Sequence, residues 1–499
     1  MTHTAVLLDT SSIESYRQFL AIKQLPSWRI TGHVARFPSE YAKQITGRKV
    51  RQRFTNWEPS SCLFDYQRDI TAMAIQKRKY AVFADCGLGK TLIMLEFAQA
   101  AQQNIRARNR GFLIVSPLMV IPQTKAECQR WYGFEPEQVP AATLQEWLDD
   151  CGGRIGITNY EAIRPELRQG KLGGLALDES SLLKSHYGKW GTKLIELGKG
   201  LDWKLCLTGT PAPNDRIEYA NHAVFLDHFP TVNSFLATYF VNRGQTSERW
   251  SLKEHALGAF YTSLSHWCIF LTNPATYGWK DNVSDSIPPI HVNIHEVPLS
   301  YEQKQLVAKM DSTLFTTDLG GISTRAAYGQ IAKGFWRKKR IATYKPEFIA
   351  GLVEQWNAME STLVWCLYNE EQKLLERTIP GCVGITGTTK QAARQEAIDA
   401  FKAGEIKTLV TKPKILGFGL NLQVATRQIF SGLQDSYELY YQAVKRSNRI
   451  GSTRPLYVHI PVTDIEEPMV ANVLRKSKRV QQDTEEQERL FREKSCLTY

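Results

Sequence analysis

The stretch FADCGLGKT, Phe83 to Thr91, decides how this chain is read. It follows the apolar run KYAV (79–82) and leads straight into LIMLEFAQAA (92–101), so a strand ends and a helix begins at a glycine-rich turn. Backbone N–H groups of such a turn, with the helix N-terminus behind them, surround phosphate oxygens. In this register Gly87, Leu88 and Gly89 form the cradle, Lys90 reaches the β- and γ-phosphates, and the Thr91 hydroxyl meets Mg²⁺. The two glycines allow backbone conformations and a close approach that a side chain would obstruct. The pattern G-x-x-x-x-G-K-[ST] is departed from at its first position, where Ala84 stands. A plain strand-to-helix turn would carry glycines too, so a second signal is needed.

That signal is LALDESS (175–181), where Asp178 and Glu179 end an apolar run. A carboxylate at the end of a buried strand is costly unless it has work to do. Asp178 is placed to hold Mg²⁺, and Glu179 to orient and deprotonate an attacking water. Alone, the pair would read as a cap for the next helix. With the phosphate loop it reads as an ATP-hydrolysing site.

Outward from this centre, short β-rich runs alternate with helical patterns twice. The first series is KYAVFAD (79–85), GFLIVSP (111–117), GRIGIT (153–158), GGLALDE (173–179) and WKLCLTG (203–209). The second is STLVWCLY, GCVGIT, IKTLVTK, RQIFSG and PLYVHIPV, from 361 to 462. Nearly continuous apolar runs suit parallel strands covered on both faces. The alternation predicts α/β architecture with two doubly wound parallel-sheet domains in tandem. The expected layout is an accessory segment at 1–60, a first domain at 61–225 and a helical insertion with linker at 226–335. A second domain at 336–470 and a polar helix at 471–499 complete it.

With 499 residues the chain is long enough for two or three domains. Lys and Arg number 62 against 50 Asp and Glu, a formal charge of +12 that favours a polyanionic partner, nucleic acid first. Nine cysteines without a C-x-x-C pair argue against a disulfide framework or a zinc ribbon. No basic segment leads into an apolar signal core, and no run approaches the roughly 18 apolar residues that span a bilayer. A soluble, cytoplasmic protein is expected, in a bacterial or phage-infected cell, without membrane association.

Seven strings in order resemble the helicase superfamily two ATPases, and within them the Swi/Snf-like DNA translocases. DCGLGKT (85–91) is similar to their phosphate loop and LIVSPLMVIPQ (113–123) to their motif Ia. LDESSLLKS (177–185) resembles motif II, and LTGTPAPN (207–214) motif III. ITGTTKQAARQEAIDAFKAG (385–404), TKPKILGFGLNLQVA (411–425) and YYQAVKRSNRIGSTRPLYVHIPV (440–462) continue into motifs V and VI. The resemblance covers about 62 to 475. It looks most like the small helicase-like proteins of phages and bacteria.

The resemblance implies two RecA-like lobes sharing one Mg·ATP. Gln67 in FDYQRD would read the adenine edge, a task suited to a bidentate amide. Thr208 and Thr210 would couple hydrolysis to movement. Gly417, Gly419 and Asn421 fall in motif V, with Gly419 against the nucleotide and Asn421 against DNA. Gln442, Arg446 and Arg449 have the spacing Q-x-x-x-R-x-x-R and would share one helical face. The two arginines would be fingers on the γ-phosphate. Two departures stand out: Ser181 where relatives mostly carry histidine, and Pro413 inside motif V.

No motif reads bases, which suits a motor that tracks any sequence by its phosphates. Candidate contacts are Lys184, Lys412 and Lys414, and the patch KGFWRKKRIATYK (333–345) with Trp336, Arg337 and Lys338. The expected function is ATP-driven translocation on double-stranded DNA, remodelling forked or branched DNA or protein–DNA complexes in replication, recombination or repair. Partner proteins from those pathways or from defence are compatible, and a monomer is favoured. Alternatives are a strand-separating helicase, a restriction or defence motor, or a DNA-binding adaptor without turnover. The E-x-K strings at 302–304 and 371–373 lack an upstream P-D, so a built-in nuclease is disfavoured.

Overall fold

The computed structural model describes residues 3–47, 57–105, 109–183, 189–244, 250–280, 287–314, 322–356, 360–416, 421–433, 436–449 and 451–494. The chain forms two compact units, one of residues 1–282 with 481–499 and one of 283–480. Among the described residues no helix is long and apolar enough to cross a membrane.

The first unit is built on a seven-stranded sheet. Across it the strands run Cys268–Leu271, Lys79–Ala84, Trp203–Leu207, Leu172–Asp178, Gly111–Ser116, Ile155–Asn159 and Glu137–Gln138, all parallel. Leu172–Asp178 is buried along its whole length, as a strand with both faces covered must be. The helix Lys90–Asn104 packs on the sheet and buries Ile93, Met94, Phe97, Ala98 and Ala101.

The second unit carries six strands in the order Ile290–Glu296, Leu456–Val462, Ala425–Phe430, Ser361–Trp365, Thr408–Thr411 and Val383–Gly384, again all parallel. Leu363, Trp365, Val458 and Ile460 face one core, while Val364, Val410 and Ile429 face another. The period-two alternation of strand side chains thus builds two apolar layers on one sheet.

Segment 226–335 departs from the helical insertion expected of it. Helices are present, among them Val232–Tyr239 and Leu257–Trp267, but the segment also supplies an edge strand to each sheet. The four residues of Cys268–Leu271 are all buried, and Ile290–Glu296 alternates apolar and polar residues beside Leu456–Val462. Aromatic residues around both strands mask these short signals in the sequence.

Residues 3–47 make a three-stranded antiparallel sheet with the helix Ile13–Lys23 and a small core of Ile22, Leu25, Ala35, Phe37, Ala42 and Ile45. Glu40 receives Lys77 at 3.0 Å and Tyr41 meets His266 Nδ1 at 2.9 Å, tying this element to the first sheet's surroundings. The expected polar tail is the helix Glu467–Lys494. It has a buried side as well: Asp483 accepts from Arg216 at 3.1 Å and Tyr261 at 2.8 Å, and Glu488 accepts from Thr272 at 2.7 Å.

Candidate nucleotide site and nucleic-acid contacts

Three adjacent strands bring the chemistry of the first unit to one edge of its sheet. In register, Val82 lies beside Leu207 and Leu207 beside Asp178. The phosphate loop follows the first of these strands, Thr208 the second and Glu179 the third. Ligands of open α/β sheets bind at this carboxyl end of the strands.

Gly87 and Gly89 hold φ of 92° and 73°, left-handed conformations that glycine adopts at little cost. Gly89 caps the helix that begins at Lys90. A Cβ at Gly89 would stand 2.0 Å from Gln67 Nε2, so the loop and this glutamine pack as one body. The Gln67 amide accepts from Phe64 N at 3.0 Å and donates to Leu88 O at 3.3 Å. Its polar atoms are therefore already bound to the loop and to the turn before its own helix. Lys90 Nζ donates to Ala84 O at 2.8 Å and Asp85 O at 3.2 Å, folded over the loop's own carbonyls. Thr91 is half-buried beside it.

Asp178 is buried, and its two oxygens accept from Ser116 Oγ at 2.9 Å and Glu179 N at 3.1 Å. Burial and the neighbouring Glu179 push its pKa up to about 6, against the pull of Ser116 and Lys90. Glu179 itself sits at φ +50°, a strained setting for a non-glycine residue. Thr208 Oγ1 donates to Glu179 Oε2 at 3.4 Å and accepts from Thr210 N at 3.1 Å, linking motif III to motif II inside this unit. The Thr210 and Ser181 hydroxyls are buried without a hydrogen-bond partner among the described residues.

This arrangement suits one small divalent cation. Mg²⁺ is usually held by one or two carboxylates, with substrate phosphates and waters completing its shell. A hydroxyl at Thr91 and an under-neutralised carboxylate pair at Asp178 and Glu179 fit that description. Among the described residues no group of three or more His, Cys, Asp or Glu side chains would hold a metal unaided.

Two residues went unremarked in the sequence. Ser116 orients the Asp178 carboxylate, and the Tyr160 hydroxyl donates to Asp178 O at 2.6 Å, fixing the strand end. Ser116, a polar residue closing an otherwise apolar strand, was the available signal.

In the second unit Gln442, Arg446 and Arg449 do not share a helical face. The helix Tyr437–Val444 stops before both arginines. Beyond Val444 the backbone tightens into turns, with Arg446 N bonded to Ala443 O at 3.1 Å and Ser447 N to Val444 O at 3.2 Å. Tighter i→i+3 bonds of this kind are a common way for a helix to end. Gln428 braces this end: its Nε2 donates to Ala443 O at 3.0 Å and Ser447 Oγ at 2.8 Å, while Trp365 holds its oxygen at 3.0 Å. Arg446 lies buried in the following turns and donates from Nε to Gln442 O at 3.2 Å. Leu422 N bonds Arg446 O at 2.9 Å and Gln423 Nε2 bonds Arg449 O at 3.4 Å, so the motif V and motif VI segments are in contact. Both amide atoms of Gln442 are buried without a partner among the described residues.

Gly417, Gly419 and Lys184 lie outside the described residues. Asn421 accepts from Gln423 N, Lys412 is bonded to Asn369, and Lys414 is exposed on the short helix Pro413–Leu416. Pro413 is the first residue of that helix, a position its fixed φ suits. Trp336, Arg337 and Lys338 belong to a hairpin of Phe335–Trp336 and Lys339–Arg340. Both E-x-K strings have structural duties: Glu302 accepts from Ala342 N at 2.7 Å, and Glu371 accepts from Leu367 N at 2.7 Å to cap its helix.

Comparison with known proteins agrees with the order of these motifs. The SNF2-related domain family matches residues 76–342, and the helicase conserved C-terminal domain family matches 344–451. The chain is 25% identical over 439 residues to YwqA of Bacillus subtilis (strain 168), provisionally named an ATP-dependent helicase/translocase. That match covers 80% of this chain and 45% of the relative, so the chain spans about half of that protein's length. A shorter match, 32% identical over 100 residues, is to the ATP-dependent RNA helicase DBP3 of Ajellomyces capsulatus (strain NAm1 / WU24), covering 19% of this chain and 20% of that one. Among solved structures, the Sulfolobus solfataricus SWI2/SNF2 ATPase core in complex with dsDNA aligns with a TM-score of 0.41 at 18% identity, over 88% of this chain and 97% of that one.

Proposed function

From the premise that this chain belongs to the SNF2-related family of helicase superfamily two, we propose that it hydrolyses ATP to move along double-stranded DNA. The observation that carries this reading is the convergence of Lys90, Asp178, Glu179 and Thr208 at the carboxyl ends of three neighbouring strands.

In this reading Lys90 leaves the loop carbonyls and pairs with the β- and γ-phosphates, while Gly87, Leu88 and Gly89 present backbone N–H groups to them. Gln67 exchanges its bonds to Phe64 N and Leu88 O for the base edge. Thr91 and Asp178 would hold Mg²⁺, which would supply positive charge to the phosphates. Glu179 orients water and accepts its proton, and Thr208 reports the state of Glu179 to the motif III turn. Arg446 and Arg449 are assigned to the charge that develops on the γ-phosphate, with Gln442 supporting them and Gly419 lining the nucleotide. Lys184, Lys412, Lys414, Asn421, Trp336, Arg337 and Lys338 are assigned to the DNA.

The name of the Bacillus relative includes translocase, and the formal charge of +12 favours a polyanionic track. The site, with its lysine and both carboxylates intact, favours turnover over a passive adaptor. The test is ATP hydrolysis measured against duplex, forked and single-stranded DNA and against RNA. Duplex DNA should stimulate the rate most. Lys90→Ala and Glu179→Gln should each lower it by about 10²-fold or more. Equal turnover with and without DNA would sink the motor reading.

A further inference from the structure

The hairpin Phe335–Arg340 turns through only two residues, Arg337 and Lys338, and both hold positive φ, 46° and 68°. Two-residue hairpins of this kind strongly favour Asn-Gly or Gly-Gly, because a side chain in the left-handed region strains the backbone. Here the turn carries two of the bulkiest cationic side chains. Lys339 and Arg340 follow, and all four cations are exposed. None of the four has a carboxylate partner among the described residues. The Arg337 guanidinium lies over the Trp336 ring, 5.3 Å from its centroid. Four like charges on one small turn repel each other unless an anion lies against them.

The root of the hairpin is held firmly. Phe335 is buried and meets the Tyr368 ring edge-on with centroids 5.1 Å apart. Ile341 is buried and its N–H bonds Gly334 O at 2.9 Å. On either side, Lys333 and Lys345 converge on the buried Glu466, the first at 2.5 Å. Gln303 Nε2 donates to Ile331 O at 2.7 Å and Ser300 Oγ to Ala342 O at 2.6 Å, closing both flanks. A charged but merely solvated loop would need neither a strained turn nor a root with three interlocked ionic side chains.

We propose that this hairpin is a preorganised pin that grips the phosphate backbone of duplex DNA through Arg337 and Lys338. Its strained turn sets the two cations side by side, and the buried Lys333–Glu466–Lys345 group keeps the pin from folding back when the DNA is released. The pin's role rests on the duplex-DNA reading above, which already assigns Arg337 and Lys338 to the track, and deepens it with the turn and the buried root that present them.

The test replaces the turn with the pair its backbone prefers, Arg337→Asn with Lys338→Gly in the full chain. Strain relief predicts a Tm no lower than the parent's. Loss of two phosphate contacts should flatten the slope of log binding constant against log salt by about two and raise the half-saturating duplex concentration about tenfold. The same charge change made elsewhere, by Lys373→Gln with Lys402→Gln, should leave the salt slope near the parent's. A hairpin variant with unaltered slope and affinity overturns the pin, and so does one that melts below the parent. A parent enzyme whose ATPase ignores duplex DNA would instead overturn the translocase reading itself.

Discussion

Asp178 and Glu466 are both carboxylates sealed inside an α/β unit, and their surroundings push them in opposite directions. Asp178 faces a second carboxylate, and burial with that neighbour lifts its pKa to about 6. Glu466 faces two buried lysines, whose charge outweighs burial and draws its pKa down to about 2. The same chemistry is thus left short of positive charge in one place and fully neutralised in the other. A neutralised cluster fixes a fold. A pair short of positive charge is poised to take a cation together with an anionic substrate, and it costs stability until one arrives.

The sharpest way to break the contrast is Glu466→Gln. It leaves two buried ammonium groups without their carboxylate and should destabilise the second unit by about 3–5 kcal/mol, read by denaturant unfolding. Unfolding at the parent's midpoint would show that the lysines find other partners and that the group is dispensable.

The mirror experiment is Asp178→Asn. Because the folded chain disfavours the charged form, a neutral isostere should stabilise the ligand-free protein at pH 7 by about 1–3 kcal/mol, a rise of a few degrees in Tm. The same variant should lose ATP hydrolysis. Gaining stability while losing function is the signature of a site held in an unfavourable state; a lower Tm would contradict it.

Acid titration offers the smallest and most discriminating effect. Glu466 has a folded pKa below its ordinary value of 4.5, so its contribution is fully present above pH 4.5 and is lost as pH falls toward 2. Asp178 has a folded pKa above its ordinary 3.8, so acidification from about pH 6 to 3.8 favours the folded first unit. Amide hydrogen exchange should therefore report the second unit opening below pH 4.5, while Asp178 itself gives the first unit no reason to open between pH 6 and 4.5. Early opening of the sheet around Leu172–Asp178 would reverse the assignment.

Much of this was legible in the chain because it depends on neighbours in sequence. A glycine loop between an apolar strand and a helix is a local requirement of backbone conformation, and parallel strands announce themselves as apolar runs. Edge strands were less visible. Cys268–Leu271 is four residues long and lies among aromatic helices, too short a run for periodicity to separate from a buried helical turn. The arginine spacing misled for a different reason. The pattern 442, 446, 449 fits a helix, but the helix gives way after Val444 to tighter backbone turns, braced by Gln428 from a strand outside the pattern.

What the sequence determined by itself, then, is the family and the order of its motifs along the chain: glycine loop, carboxylates, threonines, arginines. Those rest on residue type and short-range spacing, which need no partner from afar. Tertiary structure alone decided how each group is charged and aimed. Ser116 and Glu179 around Asp178, two lysines around Glu466, and a clamped root beneath a cationic turn all depend on residues distant in sequence becoming neighbours in a medium where charge is poorly screened.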